Sequence, residues 1–130
     1  RQCGFALYEA VGIRRDDKAA RREQALRNYR FFDAPHVAFI TTPRELGIYG
    51  AIDCGAYIAN FCLAAHALGL GSIAQAALAS HPAFLRSYLG IPPDRLVVAG
   101  ISFGHEAQDH PANRFRTPRE DISVAVERRA

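Results

Sequence analysis

A chain of 130 residues has the length of one domain, and 49% apolar with 22% charged residues is the balance of a globular protein with a core. Sixteen basic against thirteen acidic residues leave a formal charge of +3, carried by arginine with Lys18 as the sole lysine. That excess suits anionic ligands and is too small to demand nucleic acid, while Cys3, Cys54 and Cys62, odd in number and without a CxxC pair, favour free thiols in a reduced, cytoplasmic protein over a disulfide framework.

The first stretch, RQCGFALYEAV, sets Phe5, Leu7, Tyr8 and Val11 at helical spacing and predicts a helix that Gly12 ends. It has no capping residue before it and no initiator methionine, so an N-terminally truncated chain is expected. It also lacks the apolar run and small-residue cleavage site of a secretory leader. Asp16 and Asp17 are suited to open a second helix through KAARREQALRNYRFF, which Pro35 should break. The arginines of this helix offer a face for phosphate or RNA. The plainer reading is a solvated face with Glu23 offsetting its neighbours, because the aromatic and glycine features of nucleic-acid modules are missing.

Residues 36–42, HVAFITT, are β-branched and aromatic and predict a strand buried on both faces. A turn over Pro43–Gly47 leads to a long helix, Ala51 to Leu70, whose one formal charge is Asp53 near its start. From Tyr57 onward its polar side chains are Tyr57, Asn60 and His66, so it is apolar all round and must be covered on most sides. It reads as too short and too interrupted for a membrane span of roughly 20 strongly apolar positions. His66 reads as a core histidine, and Gly69 and Gly71 as the helix stop.

Residues 71–75, GSIAQ, form a short extended segment. Ser80 is placed to cap a helix, HPAFLRSYLG, that carries proline in its first turn and ends at Gly90. After the Pro92-Pro93-Asp94 turn, residues 95–103, RLVVAGISF, make the strongest strand in the chain. Residues 104–113 are loop in composition, RFRTPR is a basic extended tail, and the alternation over Asp121–Val126 predicts a last strand or arm. There is no internal repeat. Helices outnumber strands and separate them, which predicts an α+β or three-layer domain.

Several chemistries find no support. No two of the five histidines share the spacing of a metal-binding helix pair, and His105, Glu106, Asp109 and His110 read as a solvated polar loop. No serine or cysteine stands on a recognisable nucleophile turn. The string Gly69-Leu70-Gly71-Ser72 ends a helix, whereas a phosphate-cradling loop begins one.

What remains is a combination in fixed order: LAAHALGLGS with the extended segment after it, LGIPPDRLVVAGISFGH, and NRFRTPR. Taken together, from about Gly4 to Pro118, these resemble the nitroreductase family of FMN-dependent oxidoreductases. The resemblance implies one α+β domain over residues 1–130, with a central sheet flanked by helices and the long helix buried in the interface of a homodimer. It implies FMN as cofactor, NAD(P)H as electron donor and a nitroaromatic or similar small molecule as acceptor. The flavin carries the redox chemistry, so no catalytic acid or base is expected on the chain. The resemblance sets Ile73, Ala74, Gln75 and Ala76 against the flavin ring, mainly through main-chain atoms, and Arg114 and Arg116 at the FMN phosphate. Members of the family also carry an earlier arginine-rich segment that clamps FMN, and nothing in these residues matches it. Arg14-Arg15 lies in the wrong place. Two rival readings stand beside the enzyme: a cofactor-free dimeric scaffold, and a nucleic-acid module using the Arg14–Arg30 face.

Overall fold

The computed structural model describes residues 2–114 and 116–127, so Arg1 of the first predicted helix and Phe115 of the basic tail lie outside the described residues. The chain divides into two compact units, residues 22–106, and residues 1–21 with 107–130.

The central unit holds a three-stranded antiparallel sheet. Strand β1 runs His36–Pro43, β2 Gly71–Gln75 and β3 Arg95–Gly104, in the order β1-β3-β2. The β-branched and aromatic run of β3 suits the middle place, where it pairs on both sides and Ile101 is sealed from solvent. The register slips between Ile40 and Thr41. Arg95 clamps the slip, donating from Nε to Thr41 Oγ1 at 2.8 Å and from Nη2 to Thr41 O at 2.9 Å. Both predicted long strands are therefore present, each extended by one residue, but β1 is not buried on both faces as expected: it lies at a sheet edge, and Thr42 is its one buried residue.

Helix α3, Gly47–Ala67, lies against all three strands. It begins four residues earlier than the sequence predicted, which leaves Asp53 exposed in the second turn, beyond the strong reach of the helix dipole. Only Gly50, Cys54 and Ala65 are buried, a narrow stripe of small residues turned to the sheet. Ile48, Tyr49, Ile52, Tyr57, Leu63 and Leu68 stand exposed, and so does His66, which was expected in the core. The cover that an all-apolar helix requires is not supplied by the described residues. With its earlier start, the segment Arg44–Ala67 is also long and apolar enough to cross a bilayer, by length and composition only, which corrects the expectation that it is too short.

Gly69, at φ 73°, takes the left-handed conformation that stops α3, and Leu70 N–H returns to Ala65 O at 2.9 Å. Gly71 is not part of that stop; it opens β2. Helix α4 is Pro82–Leu89, with proline in its first turn and left-handed Gly90 at its end. Its cap position is His81 rather than Ser80, and no side chain caps it.

The predicted second helix is shorter than expected. Helix α2 spans Lys18–Leu26, and a 3-10 stretch, Arg27–Asp33, follows. Phe31, Phe32 and Asp33 all have positive φ, at 57°, 50° and 63°, so the chain turns before Pro35 is reached. The break is conformational and no proline causes it.

In the terminal unit, helix α1, Gln2–Ala10, packs against the 3-10 turn Pro111–Asn113. The Arg15 guanidinium lies 3.9 Å from the Phe5 ring centroid. Asp17 caps α2 by accepting Ala20 N–H at 2.8 Å, as its position predicted. Asp16 instead binds Arg14. The predicted last strand is a short helix, α5, Ile122–Ala125. Asp121 caps it, accepting Ser123 N–H at 2.8 Å and Ser123 Oγ at 2.5 Å; this local bonding overrides the alternating pattern.

Candidate cofactor site

The glycine stop after α3 delivers the chain into β2, which pairs with β3 alone and forms one edge of the sheet. An edge strand keeps main-chain donors and acceptors that no neighbouring strand takes. Ile73, 44% exposed, and Ala74 are open to solvent, and Ala76 is open where the 3-10 turn Ala76–Ala79 begins. Three of the four residues expected at the flavin ring, Ile73, Ala74 and Ala76, are thus exposed.

Gln75 does not. It is 3% exposed, and its side chain is spent inside the fold. Its Oε1 accepts from Ser102 Oγ on β3, and its Nε2 donates to Asn28 O at 3.2 Å and Asn28 Oδ1 at 3.1 Å. Asn28 belongs to the 3-10 stretch before β1 and itself donates to Ala25 O at 2.9 Å. The Gln75 side chain therefore has no reach toward a ligand, and only its main chain remains for one. Ser102 and Asn28 were missed by sequence reasoning. The signal for Ser102 was present: a lone hydroxyl inside an apolar strand requires a hydrogen-bond partner. Asn28 carried no comparable signal, since its partner lies 47 residues away.

Three residues beyond Gln75, the Leu78 side chain is buried directly over Gly100, the β3 residue opposite Gln75. On this side of the sheet an apolar groove of about 430 Å³ is lined by Tyr29, Phe31, Phe39, Leu78, His81, Phe84 and Leu85. The Tyr29 and His81 rings lie 5.6 Å apart within it.

Arg114 and Arg116 lie in the terminal unit and are exposed. Arg114 Nη2 is 3.8 Å from Asp109 Oδ1, and Arg116 Nη1 donates to Asn113 O at 2.7 Å. Each has a local partner, and exposed ion pairs of the Arg114 kind are weak. His110, from the polar loop of metal-capable side chains, accepts Ala112 N–H on Nδ1 at 3.2 Å.

Ile73, Ala74 and Ala76 are exposed on the central unit, and Arg114 and Arg116 on the terminal unit; comparison with known proteins adds the following. A sequence model described as "Nitroreductase family" matches residues 6–105. The chain is 40% identical over 125 residues to a 4-nitrobenzoate reductase of Nocardioides sp. (strain LMS-CY), covering 95% of this chain and 50% of that protein. It is 34% identical over 116 residues to a nitrobenzene nitroreductase of Ectopseudomonas oleovorans, covering 89% and 51%. Among solved structures, the FMN- and NADPH-dependent nitroreductase NfnB of Sphigopyxis sp. strain HMH superposes with a TM-score of 0.96 at 33% identity, covering 99% of this chain and 58% of that one. NfnB of Mycobacterium smegmatis, solved with NADPH, gives 0.93 at 32% identity with the same coverage. The chain spans about half the length of the curated relatives it matches.

Proposed function

The chain belongs to the nitroreductase family, and from that membership we propose that it works as part of an FMN-dependent oxidoreductase, passing electrons from NAD(P)H to a nitroaromatic or similar small acceptor. The observation that carries the reading is the exposure of Ile73, Ala74 and Ala76 at the end of an edge strand, in a fold that superposes on FMN-dependent nitroreductases.

The main chain of Ile73–Ala76 would hold the flavin ring, and Arg114 and Arg116 would hold its phosphate. Bound FMN would supply the redox chemistry, taking a hydride from NAD(P)H and giving electrons to the acceptor. The protein's part is position and charge. We read residues 1–130 as one domain of this family.

The same reading makes the protein a cytoplasmic homodimer with neither membrane nor nucleic acid as partner. The exposed apolar side chains of α3 support the dimer.

The test is a visible absorption spectrum. The protein titrated with FMN should hold the yellow chromophore through gel filtration, NADPH should bleach it anaerobically, and a nitroaromatic should restore the colour. A dimer that leaves gel filtration colourless after mixing with excess FMN refutes the enzyme and leaves the scaffold reading.

A further inference from the structure

We propose that Gln75 is a positioning residue, whose buried amide fixes the main chain that meets the cofactor without touching it. The proposal rests on the reading that Ile73–Ala76 faces FMN.

The geometry has three parts. Gln75 is buried among neighbours that are not: Ala74 and Ala76 on either side are exposed small residues with no side chain that could anchor them. The orientation of the amide is set by chemistry, because Asn28 O can only accept and so must face Nε2, which leaves Oε1 to accept from Ser102. Ser102, 1% exposed, is fixed in the middle strand, and Asn28 is fixed by its bond to Ala25 O. One side chain thus ties the end of β2 to two separate elements, with both amide hydrogens and the carbonyl oxygen used.

A glutamate has the same shape and serves less well: ionised it has no hydrogen to give Asn28 O, and protonated it has one where the amide has two. A leucine satisfies none of the three bonds. Main-chain donors act on a developing charge most effectively when they are held in place beforehand, so loosening this segment should weaken its preference for the reduced cofactor.

The experiment compares the wild-type chain with Gln75→Leu, Gln75→Glu and Ser102→Ala, the last as a milder variant that keeps both Asn28 bonds. Amide hydrogen exchange is read first, without cofactor. Peptides spanning 72–79 should exchange about tenfold faster in both Gln75 variants and less so in Ser102→Ala, while the α3 and 36–43 peptides keep wild-type rates. The midpoint potential of bound FMN is read second. A tenfold loss of preference for the two-electron reduced form lowers it by about 30 mV. Unchanged exchange at 72–79 overturns the proposal. Faster exchange with an unmoved potential also overturns it, since Gln75 would then be structural only. Failure of the wild type to bind FMN appears before any variant is made, and it refutes the enzyme reading and the cofactor role together, while the exchange data still show whether Gln75 holds the strand.

Discussion

Gly100 sits where β3 pairs with both of its neighbours, opposite Phe39 on one side and Gln75 on the other. A Cβ placed there would overlap Leu78 Cδ1 and stand 3.1 Å from Leu78 Cβ and 3.3 Å from its Cγ. Ordinary carbon contacts are about 3.5–4.0 Å, so rotating the tip of Leu78 is insufficient and the 3-10 turn itself must retreat. Overpacking of this kind costs about 1–3 kcal/mol. Replacing glycine inside a strand returns about 0.5–1 kcal/mol of backbone entropy. Gly100→Ala should therefore destabilise the chain by about 1 kcal/mol, within a span of about 0–2.5 kcal/mol. Urea unfolding at fixed protein concentration measures it, with the midpoint lowered and the slope unchanged. The decisive variant is the double one. Leu78→Ala alone should cost about 2–5 kcal/mol through its cavity. The methyl group introduced by Gly100→Ala would enter that cavity, so the pair should fall short of the sum by about 1 kcal/mol or more. Additivity within about 0.5 kcal/mol would refute the argument, because two residues in contact would then be energetically independent.

Three further outcomes follow from the same geometry. Leu63→Glu, at a site 68% exposed on α3, should leave far-UV circular dichroism unchanged and shift the protein from dimer to monomer in sedimentation; an unchanged sedimentation coefficient counts against α3 as the contact. Arg114→Gln and Arg116→Gln should each weaken FMN binding about tenfold or more, the loss expected for one charged hydrogen bond, and equal affinity in either variant removes that residue from the phosphate site. The carboxyl of Asp121 is held below the ordinary carboxylate range, first by the Ser123 hydroxyl and then by the Ser123 N–H. The sign follows from the lowered folded value: the cap of α5 is intact above the ordinary carboxylate range and is lost as pH falls through that lowered value. The Ser123 amide resonance should report that transition, and a midpoint at or above the ordinary range would contradict the bonding seen.

Much of the fold was legible because the signals were local. The β-branched runs at 36–42 and 95–103 could only be strands, and the apolar stretch ending at Gly69 could only be a helix with a glycine stop. Where the reading failed, non-local or very short-range bonding had decided the outcome. Helix α3 starts four residues early, and its Gly50, with no side chain, lies against Thr42, a packing fact invisible along the chain. The corner at Phe31–Asp33 contains neither glycine nor proline, so no composition rule marks it. Four residues of α5 depend on a single carboxylate. At the site, the family resemblance pointed to residues 73–76, yet only the folded chain separates Gln75, turned inward, from its exposed neighbours.

That unmarked corner also limits which sequences this fold accepts. Three successive left-handed residues with side chains each cost about 1–2 kcal/mol relative to a right-handed conformation. At Asp33, exposed and joined to Arg27 by a single surface pair at 2.8 Å, glycine would relieve most of its share. At Phe31 the same exchange would strip a wall from the groove. β-Branched residues fit none of the three positions. Mutational drift through residues 31–33 should therefore be lopsided, open to glycine and asparagine at Asp33, closed at Phe31, and barred throughout to valine, isoleucine and threonine.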